Sequence, residues 1–174
     1  MQMDEGLDTG AMLSKVSCPI LADDTSASLY QKLAELGPQA LLTAIADLPV
    51  LQQQAEVQDE KLANYAEKLS KEEAKLDFSK DAATLEREIR AFNPWPVSYL
   101  ELPQGTVKIW QAQVASSLSG PVGSILKADK TGIYIGCQQQ VLQITQLQPP
   151  GKKPMSAADF LNGRADWLAV GQQL

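Results

Sequence analysis

Three carboxylates lie close together at the start of the chain, in the run Met3-Asp4-Glu5-Gly6-Leu7-Asp8-Thr9-Gly10. The two glycines let the backbone turn tightly, so the run is typical of an exposed acidic loop. An active-site carboxylate usually works on a partner that titrates near neutral pH, most often histidine. This sequence contains no histidine. The run therefore indicates either a plain turn or one part of an active site whose other part is missing from this sequence.

Basic side chains form the second group that could do chemistry, because Lys and Arg bind phosphates. Lys152 and Lys153 follow Pro149-Pro150-Gly151, so a stiff turn presents two cations together. Ordinary solvated lysines explain this small cluster equally well on the residues alone. The candidate RNA-binding residues are Arg87, Arg90, Lys108, Lys127, Lys130, Lys152, Lys153 and Arg164.

Charge is distributed unevenly along the chain, whose net charge is -6. Residues 1–79 hold 6 basic and 14 acidic side chains, whereas residues 80–174 hold 9 and 7. This asymmetry indicates different surfaces with different partners, although the basic excess is small for a nucleic-acid-binding domain. Trp95, Trp110 and Trp167 could stack on bases, but packing in a core or at a domain interface is the favoured interpretation.

The length of 174 residues allows one domain, or one small domain and a piece of another. No apolar run approaches the roughly 20 residues that a membrane helix needs. The N-terminus is acidic and does not resemble a secretory signal. Cys18 and Cys137 are far apart in sequence among apolar neighbours, which favours reduced, packed thiols. We therefore predict a cytoplasmic protein with no membrane partner.

In the first half, residues 11–20 partly alternate between apolar and polar, which predicts a strand with one buried face. The run Asp23-Asp24-Thr25-Ser26 supplies helix-capping side chains. Leucines at helical spacing then predict one amphipathic helix over about 26–48, or two helices joined at Gly37-Pro38. Residues 49–66 lack a clear period and are interpreted as a linker.

Two short helices are predicted next. Ser70-Lys71-Glu72-Glu73 has the pattern of a capping box, in which a serine and a glutamate pair each other's backbone amides. The second helix, about 81–92, has Leu85, Ile89 and Phe92 on one face, and Asn93-Pro94-Trp95-Pro96 ends it.

From Ser98 onward the apolar period is two, which is typical of short strands separated by turns and favours a small antiparallel barrel. Ser156 then begins a short terminal helix. The predicted strands are Tyr99–Leu102, Thr106–Val114, Val122–Lys127, Ile133–Cys137 and Val141–Leu147.

Several segments, in order through nearly the whole chain, resemble the methionyl-tRNA formyltransferases. Residues 3–10 resemble the folate-site loop of that family, and residues 65–73 resemble its interdomain segment. Residues 90–96, Arg-Ala-Phe-Asn-Pro-Trp-Pro, resemble the entry to its C-terminal barrel. Residues 147–156 and 160–164 resemble its final strand and helix.

The resemblance implies an α+β fold, in which the remnant of an α/β formyltransferase domain precedes a small antiparallel OB-like β-barrel. The implied division is a catalytic-domain remnant at residues 1–48, a linker at 49–79 and a tRNA-binding barrel at 80–174.

The resemblance also implies roles for the acidic loop. Asp8 matches the catalytic aspartate, and Asp4, Glu5, Gly6 and Leu7 match the loop that contacts the pterin of 10-formyltetrahydrofolate. The implied partner is methionyl initiator tRNA, and no metal is implied. The catalytic asparagine and histidine of the family belong to an upstream part. We therefore expect this chain to be inactive alone, and to use the folate donor only when that N-terminal part is supplied.

Two alternatives stay open. One is a stand-alone RNA-binding β-barrel module without enzymatic activity. The other is a related folate-dependent formyltransferase that acts on a sugar amine, or a formylfolate hydrolase. The segment Gly151-Lys152-Lys153-Pro154-Met155 and the terminal Asn162-Gly163-Arg164 favour the tRNA enzyme.

Overall fold

The structure is a computed structural model that describes all 174 residues. Residue contacts divide the chain into two units, Met1–Lys68 and Leu69–Leu174. None of the helices combines the length and apolar character needed to cross a membrane. The division at residues 48/49 and 79/80 stays a prediction.

The first unit is built around one long helix, α1, at Ser26–Ala46. Thr25 and Ser28 form its capping box: Thr25 Oγ1 accepts from the Ser28 amide at 3.3 Å, and Ser28 Oγ accepts from the Thr25 amide at 3.0 Å. Amides at a helix start have no partner inside the helix, so this exchange stabilises the first turn. Helix α2, Leu48–Gln53, and a 3-10 turn, Glu60–Leu62, follow within the stretch predicted as a linker.

Helix α1 continues through Gly37 and Pro38, so the predicted helix is confirmed and the dipeptide does not divide it. No residue of α1 is buried. Leu41, Leu42 and Ile45 are 61%, 70% and 59% exposed. The apolar stripe that the sequence predicts is therefore present, but little within the first unit covers it.

The strand predicted over residues 11–20 is wrong. Backbone pairing there is limited to one antiparallel bridge, in which the Met12 amide donates to the Glu56 carbonyl at 2.8 Å and the Glu56 amide donates back at 2.9 Å. An alternating sequence gives a strand only where neighbouring strands supply a ladder of backbone partners. The first unit supplies one such residue pair.

The helices of the second unit begin with side-chain caps. Glu73 Oε1 accepts from the Ser70 amide at 2.8 Å and Ser70 Oγ accepts from the Glu73 amide at 3.3 Å, which confirms the predicted capping box. The element it starts is one 3-10 turn, Glu72–Ala74. Helix α3, Ala82–Ala91, follows with Asp81 as its cap.

Six strands form one antiparallel sheet in the order β1-β2-β5-β4-β3, with β6 paired to β5. The predicted strands are confirmed, but β3 begins later than expected. The reason is a turn at Pro121–Ser124, where the Ser124 amide donates to the Pro121 carbonyl at 3.1 Å and Gly123 has a φ of 73°. The strands are β1 Tyr99–Leu102, β2 Gly105–Ala115, β3 Ile125–Asp129, β4 Gly132–Gly136, β5 Val141–Gln148 and β6 Met155–Ser156.

The sheet is a curled antiparallel half-barrel, because its two outer strands, β1 and β3, do not pair with each other. The α+β class is confirmed, and the closed OB-like barrel stays a prediction. The last residues of the chain pair with the start of β3 and with the turn before it. The Ile125 amide donates to the Gln172 carbonyl at 2.9 Å, the Gly171 amide to the Ile125 carbonyl at 2.8 Å, and the Leu174 amide to the Gly123 carbonyl at 3.0 Å.

The core of the second unit lies between the sheet, α3 and a terminal helix, α4, at Ala157–Arg164. A 3-10 turn at Ala165–Leu168 follows α4. Cys137 is also buried, and burial raises the pKa of its thiol to about 11, so it packs as a neutral group. The largest fully buried side chains are Leu85, Ile89, Val107, Ile109, Ile125, Ile133, Ile135, Leu142, Ile144, Leu147, Phe160 and Leu168.

Candidate carboxylate loop and basic surface

Asp4 holds the acidic loop in its turn. Its Oδ1 atom accepts a hydrogen bond from the Gly6 amide at 3.1 Å and another from the Thr9 hydroxyl at 2.5 Å. These bonds close the segment from residue 4 to residue 9. One oxygen of Asp4 is therefore used to shape the loop, which is a structural role beside the predicted contact with folate.

Asp8 is exposed and has a φ of 58°, in the left-handed region that non-glycine residues rarely adopt. Asp tolerates this conformation better than most residues. No hydrogen bond to its carboxylate lies within the structure, so this group is open to a partner or substrate. Its catalytic role stays a prediction.

Gln58 contacts the backbone on both sides of Thr9, a role that the sequence did not reveal. Its Nε2 group donates to the Asp8 carbonyl at 2.7 Å and to the Gly10 carbonyl at 2.8 Å. The residue lies in the polar stretch that was interpreted as a linker. Nothing in the local sequence pattern separates it from its neighbouring glutamines.

Gly10 closes the base of the loop, where only glycine fits. It is buried, and a Cβ added to it would lie 1.6 Å from the carbonyl oxygen of Gln2. Beside this contact, the Gln2 amide donates to the Ala11 carbonyl at 2.8 Å. The two ends of the loop are therefore held together by backbone contact.

The loop encloses a shallow hollow of about 240 Å³. Leu7 and Met3 are 88% and 87% exposed beside its carboxylates. The hollow combines apolar and acidic groups, which suits a flat heterocycle that carries N–H donors. Its lining residues are Met1, Met3, Asp4, Gly6, Leu7, Asp8, Thr9 and Gly10.

Several candidate RNA-binding cations are engaged inside the protein. Lys127 Nζ lies 2.8 Å from Asp129 Oδ2 and 4.8 Å from the centre of the Tyr134 ring. Arg90 Nε lies 2.6 Å from Glu86 Oε1, one turn away on α3. These pairs neutralise part of the positive charge, so Lys127 and Arg90 are weak candidates for a phosphate contact.

Two further candidates contact neighbours without an ion pair. The Arg164 guanidinium lies 5.9 Å from the centre of the Phe160 ring and 5.7 Å from that of Trp167. The Arg87 guanidinium donates to the Thr84 hydroxyl at 3.0 Å. Arg87 is exposed and Arg164 is half-buried, so Arg87 keeps more of its charge available to a ligand.

The remaining candidates, Lys108, Lys130, Lys152 and Lys153, are exposed and form no ion pair. Lys108 pairs in register with Gln148 across strands β2 and β5. Gln148 Nε2 in turn donates to the Lys152 carbonyl at 2.6 Å. The structure thus brings Lys108 and the Lys152 turn to one end of the sheet. Lys130 lies on the separate β3–β4 turn, and a single shared face for all eight residues stays a prediction.

The tryptophans have three different environments. Trp95 is 52% exposed, so it does not pack in the core, and packing at a domain interface stays a prediction for this residue. Trp110 is half-buried, and its Nε1 donates to Gln148 Oε1 at 2.9 Å. Trp167 packs edge-to-face on Phe160, with ring centres 5.9 Å apart. Only Trp95 offers a large open ring for stacking.

Comparison with known families gives two matches. The model described as "Formyl transferase, C-terminal domain" matches residues 68–165, and the model described as "Formyl transferase" matches residues 1–45. The acidic loop lies in the second match, and the sheet, α3 and α4 lie in the first. The two matches follow each other along the chain without overlap.

Solved structures of HypX from Aquifex aeolicus share the fold. A variant of HypX with several alanine substitutions matches with a TM-score of 0.66 at 19% identity, over 97% of this chain and 30% of that chain. HypX in complex with tetrahydrofolic acid matches with a TM-score of 0.64 at 19% identity, over 93% of this chain and 29% of that chain. The chain therefore spans about a third of the length of these structures.

Proposed function

Because this chain belongs to the formyl transferase family, by a match over more than half of its length, we propose that it acts in a methionyl-tRNA formyltransferase. Such an enzyme transfers a formyl group from 10-formyltetrahydrofolate to the amino group of methionyl initiator tRNA, in cytoplasmic translation initiation. The observation that carries the proposal is the order of the two family matches along the chain, with the Asp8 loop in the N-terminal match and the half-barrel in the C-terminal match.

The reaction requires a proton to move. The amino nitrogen of the methionyl group attacks the formyl carbon, the bond from that carbon to the donor nitrogen breaks, and one amine proton ends on that nitrogen. A carboxylate can orient the group that accepts this proton. We assign that role to Asp8, whose carboxylate is open. Since the chain has no histidine, the imidazole that the family uses would come from another segment.

The acidic loop is proposed to bind the pterin part of 10-formyltetrahydrofolate. When this donor is bound, it supplies the formyl carbon. A pterin is flat and carries several N–H donors. Leu7 offers an exposed apolar surface beside the hollow, and the Glu5 carboxylate makes no hydrogen bond inside the protein. Asp4, Glu5, Gly6 and Leu7 are therefore the residues proposed to hold the donor.

The proposed tRNA contact lies in the second unit. Lys152 and Lys153 lie in an exposed turn and carry no counter-ion in the structure. Unpaired lysines bind phosphates without a prior cost of breaking an ion pair. The exposed Trp95 ring adds a surface on which an unpaired base can stack.

A related folate-dependent formyltransferase is the second candidate function. Its support is the likeness to HypX, one structure of which is a complex with tetrahydrofolic acid. Such an enzyme would use the same loop with a different acceptor, either a sugar amine or water. The resemblance of residues 147–156 and 160–164 to the tRNA enzyme favours methionyl-tRNA as the acceptor.

The test is a formyl-transfer assay with labelled 10-formyltetrahydrofolate and three acceptors: methionyl initiator tRNA, a sugar amine and water. The chain is assayed alone and together with a formyltransferase segment that contains the asparagine and histidine. We expect no turnover by the chain alone and transfer to methionyl-tRNA by the combination. Asp8→Asn should lower kcat by about 100- to 10,000-fold, the range of acid–base catalysis.

Asp23→Asn is the matched control, because Asp23 is also an exposed carboxylate of the first unit. It should leave kcat unchanged. Transfer to a sugar amine or to water, but not to tRNA, would favour the related enzyme. Salt-dependent tRNA binding without any folate binding or transfer would favour an RNA-binding module. Turnover by the chain alone would contradict the proposed division of the active site.

A further inference from the structure

Gln58 fixes the backbone that carries Asp8. One side-chain amide group donates to two carbonyls, those of Asp8 at 2.7 Å and Gly10 at 2.8 Å. A glutamine amide has two N–H donors, and both are used here. We propose that Gln58 is a positioning residue for Asp8 in formyl transfer. This inference rests on the function proposed above.

Asp8 needs such support because its backbone conformation is unfavourable. A φ near 58° is less favourable for a non-glycine residue than the right-handed region, although Asp tolerates it better than most residues. Strained conformations of this kind persist only where the surroundings enforce them. The Asp8 carboxylate has no hydrogen bond of its own, so the backbone conformation, which sets the direction of its Cβ, is the main constraint on where it lies.

Gln58 is itself held in place. Two residues earlier, Glu56 shares a pair of backbone hydrogen bonds with Met12, at 2.8 and 2.9 Å. Lys15 Nζ also lies 2.6 Å from Glu56 Oε2, but both side chains are exposed, so this ion pair adds little. The Met12–Glu56 bridge therefore holds the backbone near Gln58 beside the acidic loop. The close contact between Gly10 and Gln2 closes the base of the loop.

Removing the Gln58 amide would leave the Asp8 and Gly10 carbonyls without their donor. The Asp8 backbone could then relax toward a negative φ, which would redirect its carboxylate. A displacement of about 1 Å in a catalytic group can cost about 100-fold in rate. Because the proposed tRNA contacts lie in the second unit, kcat should fall while KM for methionyl-tRNA stays the same.

The first experiment measures amide hydrogen exchange in the full 174-residue chain. Gln58→Met keeps the length of the side chain and removes both donors. Gln53→Met is the matched control, since Gln53 is exposed at the end of α2 and makes no side-chain hydrogen bond. We expect exchange at the Gln2 and Met12 amides to rise about 10-fold or more in Gln58→Met and to stay unchanged in Gln53→Met.

The second experiment measures formyl transfer with the histidine-bearing segment supplied. Gln58→Met should lower kcat by about 10- to 100-fold at constant KM for methionyl-tRNA. Gln58→Glu should lower it at least as much, because a carboxylate would face two carbonyl oxygens. Gln53→Met should behave like the parent chain.

The two experiments separate the two hypotheses. Unchanged exchange in Gln58→Met, or changed exchange with unchanged kcat, would overturn the positioning role. If the parent chain shows no transfer under any condition, the proposed function fails, while exchange still reports whether Gln58 holds the loop. Faster exchange together with a selective loss of kcat would support both.

Discussion

Asp24 is the one carboxyl-bearing residue that is buried, with 7% of its surface exposed. It accepts hydrogen bonds from Lys32 Nζ at 2.6 Å, from the Leu21 amide at 2.7 Å and from the Ser28 hydroxyl at 2.8 Å. The hydrogen bond from Lys32, followed by those from Leu21 and Ser28, lowers the pKa of Asp24 from 3.8 to about 2. The ionised carboxylate therefore holds the loop before α1 to the first turns of that helix.

This lowered pKa predicts acid sensitivity of the first unit. Ionised Asp24 stabilises the folded form above the ordinary pKa of 3.8, and the stabilisation is lost as the pH falls toward about 2. The circular dichroism of α1 at 222 nm should decrease across this interval. In Asp24→Asn that part of the decrease should disappear, whereas Asp23→Asn should keep it. Identical pH profiles in all three chains would contradict the prediction.

At the residue scale, the sequence identified groups whose chemistry is local. Glycines beside carboxylates predicted the acidic loop, and Ser70 with Glu73 predicted a cap. Gln58 could not be found this way, because its partner carbonyls lie 50 and 48 residues away along the chain. The ion pair between Lys127 and Asp129 could not be predicted either, since the number of charges in a sequence does not show which cations are paired.

The Pro149–Lys153 turn is the element on which the tRNA proposal can be examined most directly. The turn is held at its base by Gln148, which connects the Trp110 indole to the Lys152 carbonyl. The backbone of the turn is therefore fixed, while the two lysine side chains extend freely into solvent. An element of this kind presents two positive charges at a defined position.

We predict that replacing both lysines of this turn by alanine weakens tRNA binding. If each lysine contacts one phosphate, the slope of log K against log salt should decrease by about 1.4–1.8. Binding is measured by titration at several salt concentrations. Lys127→Ala is the control, because Lys127 is paired with Asp129, and it should change the slope little. Equal effects of the two changes would argue against this turn as the contact.

The secondary elements could be predicted where the sequence alone determines their partners. Buried and more exposed side chains alternate in β1 and β2, and turn residues separate the strands of the half-barrel, so the predicted positions are close to those observed. Residues 11–20 have a similar alternation but only the Met12–Glu56 bridge as a partner. An alternation of apolar and polar residues shows which side chains would share one face of a strand. It does not show whether a neighbouring strand is present to pair with it.

The hydrophobic core of this chain lies entirely in the second unit. Every buried apolar side chain lies between Ala74 and Leu168, in the second unit. Helix α1 of the first unit has no buried residue. Since burial of apolar surface is the main source of stability, the two units should differ strongly in resistance to unfolding.

This difference predicts two classes of hydrogen exchange in the intact chain. Amides of β2, β4 and β5 should exchange only through opening of the half-barrel, at a cost of about 5 kcal/mol or more. Amides of α1 should exchange much faster. Mass spectrometry of peptides from the two units gives the comparison. Equal protection of both units would contradict the prediction and would mean that the exposed apolar side chains of α1 are buried against another surface.

The tail at residues 171–174 has a consequence for self-association. It occupies the outer backbone groups of Ile125, the first residue of β3, which would otherwise present an unpaired donor and acceptor to a strand of another molecule. Removing these four residues would expose backbone groups at this edge of the sheet and would favour edge-to-edge aggregation. An affinity tag therefore belongs at the other terminus.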